Sequence, residues 1–143
     1  DIKQSLALEM KGNQLSFALS VPDSAYIYSD EKRVRQIIMN LVSNAIKYTD
    51  SGRITLSIEV MENQILINVQ DTGVGIREVD IEKIFKPFSR IYEPGRLKEG
   101  AGLGLYLSQK LAVRLSGMIK VTSEHNKGSL FTLILPNITE EAE

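Results

Sequence analysis

Asn40 and Asn44, four residues apart with Lys47 a further three along, are residues of this 143-residue chain whose types and spacing suit chemistry. Steps of four and three nearly complete whole helical turns, so they share a helix face with Arg33 and Gln36. An asparagine inside a helix costs up to about 0.7 kcal/mol relative to alanine, and a pair of them has two readings. One is a satisfied polar pair at the edge of a core. The other is a pair of neutral oxygen ligands for a hard cation such as Mg²⁺, with Lys47 placed to meet an anion. Mg²⁺ held by few protein ligands and many phosphate oxygens fits the second. The helix alone does not choose between them.

A second cluster is Asp71-Thr72-Gly73-Val74-Gly75-Ile76. Ile65, Ile67 and Val69 precede it at alternate positions, so Asp71 continues an apolar row on one strand face. A carboxylate there is costly unless it is hydrogen-bonded. It is either a turn closing on its own backbone or an acceptor for the amino group of a bound base, with Gly73 and Gly75 letting backbone approach the ligand. A third cluster, Gly100-Ala101-Gly102-Leu103-Gly104-Leu105, opens a helix, where free backbone amides and the helix dipole suit phosphate. Alone it is weak. No strand precedes it, no G-x-G-x-x-G spacing is met and no G-K-[ST] follows, so it is neither a dinucleotide fingerprint nor a P-loop.

These clusters need elements to position them. Val34, Ile37, Ile38, Leu41, Val42, Ala45 and Ile46 draw one apolar stripe through residues 30–48, which predicts a long amphipathic helix. Ser29 or Asp30 caps it, and the turn Asp50-Ser51-Gly52 follows it. Leu15, Phe17, Leu19 and Val21 alternate as a strand ahead of it, and a short strand at Tyr26-Ile27-Tyr28 is possible. Residues 54–60 and 65–69 alternate around a polar connector, which predicts an antiparallel hairpin. Residues 79–85 read as a short helix burying Val79, Ile84 and Phe85 and ended by Pro87. Residues 89–101 read as a lid-like loop of a length that is uncommon unless functional. Residues 103–115 read as a second helix with Leu107, Leu111 and Leu115 on its stripe. The strand from Ile119 turns at Asn126-Lys127-Gly128 and pairs back through 130–135, leaving Gly128 as a hairpin residue and Thr132 as strand filler.

The sum is an α/β two-layer sandwich, a mixed sheet with helices packed on one face. The hairpin-linked strands argue against a doubly wound parallel sheet. Residues 1–11 read as a linker or helix end from a preceding domain, 12–136 as one globular domain and 137–143 as an acidic tail that frays. The 17 Lys and Arg against 18 Asp and Glu argue against broad nucleic-acid binding. No cysteine is present, which excludes disulfides and thiolate metal sites. No apolar run approaches the length of a membrane span. The chain opens with DIKQ and carries no signal peptide, which reads as a fragment of something longer.

Taken together, N-x-x-x-N-A-x-K-[YF], D-x-G-x-G-I, F-x-P-F, G-x-G-L-G-L and a final G-x-x-x-T strand resemble the catalytic ATP-binding domain of sensor histidine kinases. That family is a branch of the superfamily that also holds DNA gyrase B, Hsp90 and MutL. The likeness runs from about residue 12 to residue 136, with all five motifs in family order. It implies a Bergerat-type fold, ATP and Mg²⁺ as cofactors, and a protein histidine kinase activity that is incomplete without a phosphoacceptor domain. It further implies that Asn44 is the principal Mg²⁺ ligand, Asn40 a direct or water-mediated partner, and Lys47 a phosphate contact, the three forming the catalytic set. Tyr48 would lie against the nucleotide. Asp71 would accept from the adenine amino group, with a water that Thr132 shares. Gly73, Gly75 and Ile76 would shape the adenine pocket, while Gly102, Leu103, Gly104 and Leu105 would wrap the phosphates. Phe85 and Phe88 match the motif that anchors the lid, or are plain core aromatics. Arg90, Arg96 or Lys98 would approach the γ-phosphate, and the lid SRIYEPGRLKEGAG departs from the commoner arginine-serine pattern.

Where gyrase and Hsp90 place a water-activating glutamate, this chain has Asn40, as the histidine kinase branch does. His125, the sole histidine, sits in a polar turn and reads as a solvated loop residue rather than a phosphoacceptor. The resemblance therefore implies a histidine-bearing dimerisation domain in the parent chain and a response regulator as partners. It also implies a cytoplasmic domain that itself contacts neither membrane nor nucleic acid, any membrane anchor belonging to the parent. A serine-directed kinase or anti-sigma type regulator of the same fold is the alternative.

Overall fold

Helix α1 spans Glu31–Lys47, and its sequence explains both its ends and its buried face. Asp30 is the N-cap, its Oδ1 accepting from the backbone amides of Lys32 at 3.1 Å and Arg33 at 3.3 Å. Such a cap is worth about 1 kcal/mol. Glu31 in the first turn and Lys47 in the last complement the helix dipole. Val34, Ile37, Ile38, Leu41, Val42, Ala45 and Ile46, the stripe read from the sequence, are the residues α1 buries.

The computed structural model describes residues 14–20, 30–87 and 104–137. In chain order these hold β1 (Gln14–Ser20), α1, β2 (Ser51–Val60), β3 (Gln64–Asp71), α2 (Glu78–Ile81), α3 (Gly104–Arg114), β4 (Met118–Glu124) and β5 (Gly128–Pro136). The expected segment at 1–11, the strand at 26–28, the lid at 89–101 and residues 138–143 of the tail lie outside the described residues.

The five strands form one sheet in the order β1-β2-β3-β5-β4. β1 runs parallel to β2, as a strand-helix-strand connection through α1 allows. Every other pairing is antiparallel, and β2–β3 and β4–β5 are the two hairpins expected from the sequence. The helices pack on one face. Toward it point Ile54 and Leu56 of β2, Ile65, Ile67 and Val69 of β3, Ile119 of β4, and Phe131, Leu133 and Leu135 of β5, all buried with the α1 stripe in one core. Strict burial alternation along β5 follows from the period of two in a strand.

Some expectations need correction. Strand β2 begins at Ser51, so the reversal after α1 falls on 48–50 and Gly52 is already in the sheet. The short helix is Glu78–Ile81 alone. Val79 is 70% exposed rather than buried, and Asp80 takes the inward position, receiving the Arg77 Nε at 3.0 Å. On α3 the buried residues are Ser108 and Ala112, while Leu107 is 45% exposed. Small side chains at that seam let α3 approach α1 closely, and the larger leucines flank it. Asn137, assigned to the fraying tail, is tied to the β2–β3 turn through Asn63 O and Met61 O.

Candidate functional site

Asp71 ends β3 and is 6% exposed. Its neighbours across the sheet are Ile54 on β2 and Ser129 on β5. The Gly73 backbone amide donates to its Oδ1 at 2.9 Å, so the turn-closing reading holds. That bond does not exhaust the carboxylate, which has about four lone-pair sites. Burial pushes the Asp71 pKa up, and the backbone amides of Gly73 and Ser129 and the Thr49 hydroxyl act in the opposite direction. Thr49 stands close enough to favour the anion, yet closes no hydrogen bond of ordinary geometry. Among the described residues its Oγ1 is the buried side-chain polar atom left without a partner.

The two glycines after Asp71 have a protein-internal reason to be glycine. A Cβ on Gly73 would collide with the Tyr48 carbonyl and Thr49 Oγ1, and a Cβ on Gly75, whose φ is +68°, would collide with the Glu124 carbonyl. The loop is thereby clamped between the C-terminal end of α1 and the β4–β5 turn. Val74 N donates to Tyr48 O at 3.1 Å, Asn126 N donates to Val74 O, and Ile76 N donates to Ser123 Oγ at 2.7 Å. Ser123 Oγ also lies 3.0 Å from Gly128 O and 2.8 Å from Ser129 Oγ, which locks the turn to the end of β5. The Ile76 side chain belongs to the core.

On α1, Asn40 Nδ2 donates to Ser108 Oγ at 2.9 Å. Ser108 is fully buried and lies one turn into α3 from Gly104. The asparagine face of α1 therefore looks toward the first turns of α3. Asn44 is half-buried, Lys47 is exposed and Tyr48 is the half-buried C-cap. Gly104 starts α3, and a Cβ there would meet no described atom within 4 Å. Leu105 packs on the core edge, as does Phe85, whose ring meets Phe131 edge-on at 6.4 Å. Phe85 is thus a core aromatic in this structure. No group of three or more His, Cys, Asp or Glu side chains suited to a metal occurs among the described residues.

One expected site residue is not brought here. Thr132 pairs with Asn68 in register and donates to its Oδ1 at 2.8 Å. Asn68 and Thr132 alternate with the buried row, so they lie on the sheet face opposite Asp71, and no water can be shared between Thr132 and Asp71. The residue in that place is Ser129, 7% exposed and opposite Asp71 in register. The alternation of Phe131, Leu133 and Leu135 already carried that signal. Thr49 lies in a turn and gives no periodic signal. Arg90, Gly102 and Leu103, with Phe88, Arg96 and Lys98, lie outside the described residues. His125 is exposed in the β4–β5 turn.

A two-layer sandwich with a buried acceptor at the end of a central strand, beside the C-terminal end of its longest helix, defines a nucleotide-binding class of α/β domain. The chain belongs to the histidine kinase-, DNA gyrase B- and HSP90-like ATPase family, whose profile matches residues 29–139. Aerobic respiration control sensor protein ArcB of Escherichia coli strain K12 is 35% identical over 144 residues, covering 97% of this chain and 18% of ArcB. The chain thus spans less than a fifth of the length of that relative. Among solved structures it is similar to full-length ShkA in complex with AMPPNP, with TM-score 0.82 and 27% identity over 99% of this chain and 29% of that one. It is similar also to the nucleotide-free catalytic domain of histidine kinase ThkA, with TM-score 0.81 and 27% identity over 95% and 89% of the two chains.

Proposed function

We propose that this chain binds Mg-ATP and presents the γ-phosphoryl group to a histidine carried on a separate dimerisation domain. The observation that carries the reading is Asp71, a buried carboxyl oriented by Gly73 with acceptor capacity to spare. As the anion it accepts from the exocyclic amine of adenine. Guanine offers a carbonyl oxygen in that place and is rejected, because two acceptors would face each other in a desolvated site. Ser129, beside Asp71, suits a bridging water on the same base edge.

The residues also fit the cation. With no acidic cluster among the described residues, Mg²⁺ would take most of its ligands from phosphate oxygens and water, and Asn44 and Asn40 would add one or two neutral oxygens. Donation by Asn40 Nδ2 to Ser108 leaves its Oδ1 unspent for that task. Lys47, exposed at the end of the same face, would meet phosphate. A cation held there by Asn44 and Asn40 would supply charge neutralisation at the phosphates. Leu105 and the start of α3 would place backbone amides toward them. Gly102, Leu103 and Arg90 keep the roles that the resemblance implies.

Asn40 stands where hydrolytic relatives carry a general base, so water is poorly activated and the phosphoryl group is kept for an imidazole. Positioning by the partner domain would then supply most of the rate. A response regulator would receive the group from the full-length kinase. The test is incubation of the chain with radiolabelled ATP, alone and with a histidine-bearing dimerisation domain from its parent. Acid-labile label on the added domain, with slow phosphate release from the chain alone, is expected. Acid-stable phosphoserine on a partner would favour the serine-directed alternative, and rapid hydrolysis by the chain alone would overturn the division of labour.

A further inference from the structure

Thr49 follows the C-cap of α1, is fully buried, and keeps an unspent hydroxyl. A buried hydroxyl without a partner is disfavoured by about 1 to 3 kcal/mol, and valine would fill the same volume without that cost. The surroundings narrow what the hydroxyl can serve. It lies against Gly73, whose own amide is committed to Asp71, and a Cβ on Gly73 would fall 2.6 Å from Thr49 Oγ1. Asp71 is the acceptor next to it with capacity left.

We propose that Thr49 is a positioning residue for Asp71, its hydroxyl donating to the carboxylate so that the buried group stays ionised and presents its free oxygen to the base. This rests on the base-reading role of Asp71 given above. The bond needs the hydroxyl rotor to turn and the two side chains to settle together. Without it the anion would rely on the backbone amides of Gly73 and Ser129. Among the described residues, no charged side chain contributes to the titration of Asp71. From β2 it faces Ile54, from β5 Ser129, and from beyond the end of α1 Thr49. The nearest charged groups on those elements, Lys47, Asp50 and Arg53, are exposed, as are His125 and the Glu124–Lys127 pair in the β4–β5 turn.

The experiment is a ¹³C-carboxyl NMR titration of Asp71 in the chain without nucleotide, for wild type, Thr49→Val and Thr49→Ser, followed by ATP affinity against pH. Thr49→Val should raise the Asp71 pKa by roughly one unit, the equivalent of one hydrogen bond to a charged group. The pH below which ATP binding weakens should rise with it, and Thr49→Ser should restore both. Asp71→Asn serves as the control that isolates the titration of the phosphates, since asparagine does not titrate. An unchanged Asp71 pKa in a folded Thr49→Val variant would overturn the proposal, as would an affinity loss equal at every pH, which marks a packing role. If Thr49→Val does not fold, Thr49→Ala and Thr49→Cys take its place: a raised Asp71 pKa in these variants supports the bond, and an unshifted pKa in both rejects it. The NMR arm needs no nucleotide, so it stands apart from any failure of the chain to bind ATP.

Discussion

Asn40 Nδ2 and Ser108 Oγ meet at 2.9 Å across the seam between α1 and α3, joining a half-buried amide to a fully buried hydroxyl 68 residues away. The bond ties the asparagine face to the helix whose first turn carries Gly104, so anything that moves α3 also turns the Asn40 side chain. Ser108→Ala should lower stability by about 1 kcal/mol, measured by urea unfolding. It should also weaken ATP binding several-fold in Mg²⁺ and hardly at all in EDTA. Equal weakening in both buffers would show that Asn40 does not act through the cation.

Asp71→Asn should separate function from stability. Removing the anion should weaken ATP binding by about 1 to 3 kcal/mol and shrink the preference for ATP over GTP, read by calorimetry with both nucleotides. Stability should move the other way. Burial raises the folded-state pKa of Asp71 above the ordinary carboxylate value. Below that ordinary value Asp71 is protonated in both states and costs nothing. As pH rises through the interval up to the raised pKa, the unfolded chain releases its proton first, and stability falls until the cost is full above it. Asparagine does not titrate. The Tm of Asp71→Asn should therefore exceed that of wild type at neutral pH, with the gap closing in acid. A gap independent of pH would mean that Asp71 is not the group titrating.

Much of this was legible because it is periodic. Seven apolar residues at helical spacing defined the buried face of α1, and odd-numbered positions put Asp71 in line with Ile65, Ile67 and Val69. What was not legible depended on partners. Leucines at 107, 111 and 115 outline a stripe by hydrophobicity, but a close helix seam selects Ser108 and Ala112, whose size matters more than their polarity. Val79 lost its inward place to Asp80 because a four-residue helix has too few turns for a periodic signal, and the Arg77 pairing decides instead. Thr132 was chosen by motif spacing, whereas the alternation within β5 selects Ser129. The glycines of the Asp71 loop were legible as a close approach, and the protein atoms that approach them are the carbonyls of Tyr48 and Glu124.

Strand β4 is an edge of the sheet, and one side chain covers part of it. Gln109 on α3 accepts from Ile119 N at 2.8 Å and donates to Ile119 O at 3.0 Å, as a neighbouring strand would. Gln109→Ala should cost about 1 to 2 kcal/mol and leave both backbone groups open to pairing with another chain. Sedimentation across a concentration series should then show self-association that wild type lacks at the same concentrations. A variant equally stable and equally monomeric would show that Gln109 does not guard the edge.

The glycines should divide into two kinds. In Gly73→Ala the new Cβ meets the Tyr48 carbonyl and Thr49 Oγ1, and in Gly75→Ala it meets the Glu124 carbonyl from a left-handed backbone. Backbone atoms held in the sheet and helix ends yield little. Each substitution should therefore lower stability by about 1 to 3 kcal/mol or more, and ATP binding should fall only as the fold does. Gly104→Ala differs, since its φ is not positive and no described atom lies within 4 Å of the Cβ position. Alanine is the better helix former by about 1 kcal/mol in a helix interior and by less at its first residue, so stability should hold or rise. If the start of α3 wraps phosphate, the same methyl group should weaken ATP more than adenosine. The discriminating measurement is the ratio of ATP to adenosine affinity in a Gly104→Ala chain whose Tm is not below that of wild type. A ratio equal to that of wild type would remove Gly104 from the phosphate site and leave its glycine without a functional account.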